Sequence, residues 1–198
     1  NEVTEKSLLE LAASVSSGVK GELFDRNIVL SPLVAAPCPD ILLHPDNVQL
    51  ADKVALVAAA EKAARRSAAS IRQVMTVYRD GVAKVQTVNS LGEFTESFRI
   101  GTMFAAQVVA VHDKVVQTGY ESSGACRGFE LFAARSAIDI AVAAAARAEM
   151  MLSARRAPGG MMPVVLSSEA GGTMVHEAIG HGLEADLVQG GVSVYRDR

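Results

Sequence analysis

The chain has 198 residues, of which 49% are hydrophobic and 21% are charged, and its formal net charge is -3. This composition is typical of a globular domain and excludes an intrinsically disordered chain. The slightly negative charge argues against nucleic acid as a partner, because binding to phosphates requires a basic surface. No apolar run reaches the roughly 18 residues needed to cross a bilayer, so we expect a cytoplasmic protein without membrane contacts.

The two cysteines, Cys38 and Cys126, are too few for a disulfide framework, and we interpret each as a small buried or half-buried thiol. The chain begins at Asn1 without a methionine, inside a predicted helix, and ends at Arg198 shortly after its most distinctive motif. We therefore expect it to be a piece of a longer protein.

Apolar residues at helical spacing predict a first helix from Thr4, as N-cap, to about Val19. A proline-rich loop follows. The capping-box spacing of Asp46 and Gln49 then predicts a second helix that ends near Arg66.

The stretch from 70 to 120 is rich in Val, Thr and aromatic residues, and residues 94–100 alternate with period two. Asp80-Gly81 is typical of a hairpin turn, and Ser90-Leu91-Gly92 indicates a second turn. We expect an antiparallel meander of four or five strands, covered by the flanking helices, and therefore an α+β fold.

Ser136 and Asp139 predict the start of a third helix that stops before Pro158-Gly159-Gly160. The apolar run from Met162 to Ser167 predicts a short strand, and Glu169 to Gly172 leads from it into the motif.

The motif is the run His176-Glu177-Ala178-Ile179-Gly180-His181. Two neutral imidazoles bind zinc, and a carboxylate beside the first histidine can take a proton from water and pass it to the leaving amine. The alternative is a glycine-containing helix with two unrelated histidines. Since the chain has four histidines, two of them beside one glutamate favour a metal site. We interpret His44 and His112 as surface residues.

The spacing of the two histidines constrains the helix. On a regular α-helix, residues i and i+5 diverge by about 140°, so the two rings could not share one metal ion. A π-bulge or an unwinding at Gly180 would return His181 to the face of His176. We therefore predict an irregular helix between Ala178 and His181.

The motif, with Gly182-Leu183-Glu184-Ala185-Asp186 after it and Met162-Pro163-Val164-Val165-Leu166 before it, resembles the signature of the TldD/PmbA metallopeptidases, which have also been labelled modulators of DNA gyrase. Upstream, the resemblance extends through Gly124, Arg127-Gly128-Phe129-Glu130 and Ala157-Pro158-Gly159-Gly160.

The resemblance implies a cytoplasmic zinc peptidase acting on peptides or unfolded segments, assembled as a homodimer or a paralogous heterodimer. His176 and His181 would be zinc ligands and Glu177 the general base. Residues 1–160 would form the N-terminal α+β domain without its first part, and residues 161–198 would open the C-terminal peptidase domain.

In the family, a cysteine beyond the position of Arg198 is expected as the third zinc ligand, and neither cysteine of this chain matches it in order. Because two imidazoles alone bind zinc weakly, we expect the chain by itself to be metal-poor and inactive. Glu184 and Asp186 are alternative carboxylate ligands, although Glu184 suits a role in supporting a ligand or capping the helix end. A rival function is a non-catalytic module that binds peptides or partners by strand addition, or a regulator of a partner protein.

Overall fold

The computed structural model describes residues 3–18, 29–33 and 39–196, leaving aside the side chain of Glu169. Cys38 and the predicted end of the first helix at Val19 lie outside these residues. The chain forms two compact units, Asn1–Ala154 and Arg155–Arg198.

In its described residues, the first unit contains a four-stranded sheet and four α-helices. Its elements, in chain order, are α1 (Glu5–Ser17), β1 (Ser31–Pro32), α2 (Leu50–Arg66), β2 (Ile71–Val88), β3 (Glu93–His112), β4 (Val115–Ala125), α3 (Leu131–Ala134) and α4 (Ala137–Leu152).

The long strand β3 lies at the centre of the sheet. It pairs antiparallel with β2 along one side and with β4 along part of the other, where β1 also adds a short parallel pairing. The predicted α+β fold, with an antiparallel sheet packed against helices, is confirmed.

The predicted hairpin at Asp80-Gly81 is wrong. β2 continues through both residues, and Gly81 pairs with Gly101 in an unbroken register. Lys53 and Tyr78 both bind the Asp80 carboxylate, which stabilises an extended chain where the residue pair alone favours a turn. The turn at residues 90–92 is present, with Gly92 at a φ of 84°. Residues 70–120 therefore hold three strands instead of four or five.

The core lies where α4 packs on β3 and β4. Phe104, Ile140 and Val108 are the large side chains fully buried there. Small residues allow α4 to approach the sheet closely, and an ideal Cβ at Gly119 would lie 2.0 Å from the carbonyl oxygen of Ala144. The alanines of α4 thus bring helix and strand backbones into direct contact.

The N-cap predicted for the first helix and the capping box predicted for the third helix are confirmed. Thr4 is the N-cap of α1, where it pairs with Ser7, and Ser136 and Asp139 cap α4. The start predicted for the second helix is wrong: Asp46 lies in a separate 3₁₀ turn, Pro45–Asn47, and α2 begins at Leu50 with Gln49 as N-cap. Pro45 favours this short turn, because it fixes its own φ at the first helical position.

As far as it is described, the second unit contains four consecutive helical segments. They are α5 (Ser168–Val175), a π turn (His176–Gly180), a 3₁₀ turn (His181–Leu183) and α6 (Ala185–Gln189). The strand predicted at Met162–Ser167 is wrong, since this segment pairs with no other strand in the described part of the chain. Val165 is 99% exposed, so the segment lacks the partner that a strand requires.

Among the described residues, no helix is both long and apolar enough to cross a membrane.

Candidate metal centre

The motif helix begins with α5, whose N-cap Ser167 accepts a hydrogen bond from the backbone N–H of Ala170. At His176 the helix widens into the π turn, and the N–H of His181 donates to the carbonyl oxygen of His176, five residues earlier. The predicted irregularity before His181 is therefore confirmed.

The role predicted for Gly180 needs correction. Its φ of -55° and ψ of -53° are ordinary right-handed helical values that any residue adopts. An added Cβ would lie 3.7 Å from the nearest atom of the His176 ring, which is ordinary contact. The π turn therefore does not depend on the conformational freedom of glycine.

The π turn brings the three predicted site residues together. The imidazole rings of His176 and His181 have centroids 4.5 Å apart, with their planes at 73°. One ligand atom from each of His176, Glu177 and His181 lies within 4.8 Å of the other two. All three side chains are exposed and so accessible to an ion and a substrate.

Two carboxylates flank the His181 ring. Its Nδ1 lies 2.7 Å from Oε1 of Glu184, and its Nε2 lies 3.4 Å from Oε2 of Glu177. The hydrogen bond and charge of Glu184 raise the pKa of His181 above its usual value, and Glu177 adds to this effect. A proton on Nδ1 that is donated to Glu184 leaves Nε2 free to bind a metal ion.

His176, Glu177 and His181 fit a metal ion, because the two imidazoles supply ring nitrogens of the kind that bind transition metals, with the Glu177 carboxylate beside them. The cluster is local, since its members come from adjacent turns of one segment. Asp186, the other acidic residue considered as a ligand, lies in the first turn of α6 and is not part of the cluster.

The remaining histidines lie in the first unit. His44 accepts a hydrogen bond from the N–H of Asp46, and His112 ends β3 beside Asp113 with its side chain 76% exposed. Neither belongs to the cluster. Cys126 is exposed, so its interpretation as a buried or half-buried thiol is wrong.

The model of the PmbA/TldA metallopeptidase central domain matches residues 43–152, more than half of the chain. The chain belongs to the PmbA/TldD metallopeptidase family. The model of the family's C-terminal domain matches residues 159–198, which include the histidine cluster.

Several relatives of the PmbA/TldD family are named as metalloproteases. A metalloprotease of Methanothermobacter thermautotrophicus is 29% identical over 76% of this chain and 33% of its own length. A TldD homologue of Haemophilus influenzae is 49% identical over 51 residues, which are 26% of this chain and 11% of that protein. The chain spans about a third of the length of the longer-matching relatives.

A crystal structure from Thermotoga maritima, provisionally named a modulator of a DNA gyrase, has the same fold. It superposes with a TM-score of 0.61 at 21% identity, over 80% of this chain and 35% of that one. At this identity the likeness concerns the fold alone.

The upstream part of the family motif has a structural role in this chain. The Glu130 carboxylate accepts hydrogen bonds of 2.9 Å from the backbone N–H groups of Leu43 and Gly128. A Cβ at Gly128 would lie 2.1 Å from the carbonyl oxygen of Leu43, so a side chain has no room there. Burial opposes ionisation of Glu130, but the backbone donors outweigh it and lower the pKa of its carboxyl group.

Sequence reasoning missed Ser193 and Tyr195, which contact the motif at Gly182. The signal that could have found them is Gly182 itself, because a glycine beside a predicted metal ligand leaves space for a side chain from elsewhere.

Proposed function

We propose that this chain carries the zinc-binding and proton-transferring residues of a peptidase that hydrolyses peptides or unfolded protein segments. The observation that carries the proposal is the cluster of His176, Glu177 and His181, whose ligand atoms lie within 4.8 Å of one another. The family and the names of the relatives support a metalloprotease function.

His176 and His181 would hold the ion through their ring nitrogens, and the contact with Glu184 would fix the His181 ring. Zinc, when bound, supplies Lewis acidity that polarises a peptide carbonyl and makes water easier to deprotonate. Glu177 would accept the proton of the attacking water and then donate it to the leaving amine. Its carboxylate is exposed next to His181, which suits contact with both water and substrate.

The site needs a third protein ligand for strong zinc binding. We propose a cysteine outside this chain, so the 198 residues alone would bind zinc weakly and lack activity. We also propose the division into a domain of residues 1–160 and the opening of a peptidase domain at 161–198. The cytoplasmic location and the homodimer or paralogous heterodimer remain predictions.

Peptide hydrolysis by the full-length protein tests the proposal. An unfolded polypeptide should be cleaved, and a chelator and the variant Glu177→Gln should each abolish cleavage. The matched control is Asp186→Asn, which removes a nearby carboxylate that lies outside the cluster and should leave activity unchanged. Cleavage that survives both the chelator and Glu177→Gln would refute the proposed mechanism.

A second candidate function, binding of an extended peptide by strand addition, is favoured by the free edge of β2. On the β1 side, the N–H groups of Ser31 and Leu33 donate hydrogen bonds to the carbonyl oxygens of Gly92 and Phe94. On the β2 side, the N–H of Asn89 donates to the carbonyl oxygen of Glu93. The N–H and carbonyl groups of successive β3 residues thus point alternately toward β2 and toward the opposite side of β3.

The one-to-one register from Gln73 to Val88 carries this alternation along β2. The even-numbered residues of β2, including Val74, Thr76 and Tyr78, therefore direct their N–H and carbonyl groups away from β3. In the described ranges, no strand pairs with this edge. An added peptide strand would bond these groups.

A groove of about 990 Å³ lies between this edge and α2. Leu50 and Val54 of α2 line it and are 75% and 58% exposed, which suits apolar side chains of an added strand. A labelled apolar peptide should bind in the presence of chelator. Loss of this binding in Val54→Asp, together with its retention in Glu177→Gln, would support this function. Binding that is unchanged in Val54→Asp would refute it.

A role as regulator of a partner protein has no supporting contact in the described residues. A pull-down from cell extract with and without Glu177→Gln tests it, because a trapped substrate accumulates only on the inactive variant, whereas a stable partner is captured by both.

A further inference from the structure

The segment after α6 folds back onto the motif. Its turn is closed by the carbonyl oxygen of Leu187, which accepts hydrogen bonds from the N–H groups of Val192 and Ser193 at 3.1 and 3.2 Å. Gly191 has a φ of +75°, a left-handed conformation that favours glycine. This reversal returns residues 192–195, which we call the return segment, to the end of the metal-motif helix.

The return segment makes two contacts with Gly182, the residue next to His181. The Ser193 hydroxyl donates a hydrogen bond to the Gly182 carbonyl oxygen, and it accepts one of 3.0 Å from the N–H of Tyr195. The helix ends at Leu183, so this carbonyl lies among the terminal acceptors that lack a partner in the helix. Ser193 supplies that partner.

The second contact depends on the missing side chain of Gly182. An ideal Cβ there would lie 2.6 and 2.8 Å from Cε2 and Cδ2 of the Tyr195 ring, closer than real carbon atoms approach. The tyrosine ring therefore occupies the space that any other residue at 182 would fill. The other glycine beside His181, Gly180, has no such neighbour, since its Cβ would have only ordinary contacts.

We infer that Ser193 and Tyr195 are positioning residues that hold His181 in the orientation in which its ring faces His176. They act through Gly182 and do not touch the metal or the substrate. The expected effect on zinc affinity rests on the proposed function, whereas the effect on the orientation of the His181 ring concerns the metal-free chain. Loss of a supporting contact around a metal ligand lowers affinity about 10- to 100-fold.

The direct test is the nuclear Overhauser effect between the ring protons of His176 and His181 in the metal-free 198-residue chain. A cross-peak is expected because the centroids of the two rings lie 4.5 Å apart. We expect Ser193→Ala and Gly182→Ala each to remove this cross-peak. Gly180→Ala is the matched control and should retain it. Ser193→Thr keeps the hydroxyl and should retain the cross-peak, whereas Tyr195→Ala should remove it, because the ring no longer packs against Gly182.

The second readout is zinc affinity of the full-length protein, which should fall about tenfold or more in Ser193→Ala and recover in Ser193→Thr. A cross-peak that persists in both Ser193→Ala and Gly182→Ala, or that Gly180→Ala removes equally well, would overturn the inference. If the cross-peaks follow the expected pattern but the wild-type protein binds no zinc, the positioning role stands and the proposed function fails. If the wild-type protein binds zinc but the variants leave the cross-peak unchanged, the proposed function stands and the positioning role fails.

Discussion

The contact between α4 and β4 at Gly119 gives a sharp test of the fold. In Gly119→Ala the new methyl group would lie 2.0 Å from the Ala144 carbonyl oxygen and 2.5 Å from the Ala148 nitrogen. Ordinary contact requires roughly 1.5 Å more, and both atoms belong to the backbone, so a rotamer change cannot relieve the clash. The helix must therefore move away from the sheet.

Overpacking of a core typically costs about 1–3 kcal/mol, and a backbone clash belongs at the upper end, about 3 kcal/mol. For a chain of this size that lowers the melting temperature by roughly 6–12 °C. The matched control is Gly101→Ala, whose Cβ would meet its nearest atom at 3.8 Å. Because alanine suits a strand interior better than glycine by roughly 0.5–1 kcal/mol, the control should melt at the same temperature or slightly higher.

Thermal unfolding followed by far-UV circular dichroism measures both variants, with a urea titration for the free energy. A loss below about 0.5 kcal/mol in Gly119→Ala, the range of ordinary surface substitutions, would show that α4 does not lie against β4 as described.

Three further variants test other parts of the structure. Glu184→Ala should weaken zinc binding by the full-length protein about 10- to 100-fold in a chelator competition, while Asp186→Ala should not; equal effects would rule out a specific contact with His181. Glu130→Gln should lower the melting temperature at pH 7. Since the folded pKa of Glu130 is lowered, its contribution is fully present above the unfolded value near 4.5 and is lost as the pH falls through the lower folded value. The melting temperatures of the variant and the wild-type chain should therefore converge in acid, and a constant difference would contradict this. Phe104→Ala, at a fully buried ring, should lose about 3–5 kcal/mol in urea unfolding, and a loss near zero would contradict its place in the core.

The parts of the structure that local chemistry determines were predictable from the sequence. Ser136 and Asp139 cap α4, because a capping box involves residues three apart. The wider turn before His181 followed from helix geometry alone, since two rings five residues apart cannot meet on a regular α-helix. The identity of the family came from the same short motif.

The errors arose where distant residues decide the local conformation. Asp80-Gly81 is a turn signal in isolation, but Lys53 and Tyr78 hold Asp80 within a long strand. The apolar run at 162–167 has no alternation of apolar and polar residues, so its sequence does not show whether a partner strand exists. Ser193 and Tyr195 reach Gly182 through a reversal of the chain at Gly191, and no periodicity in the sequence indicates that contact.

The zinc content of the purified full-length protein, measured by mass spectrometry beside His176→Ala and His181→Ala, tests the central claim most directly. We predict one zinc ion per chain in the wild-type protein and a loss of most of it in each variant, with the melting temperature of the first unit unchanged. A wild-type protein without zinc, or zinc retained in both variants, would contradict the assignment of these two histidines as ligands.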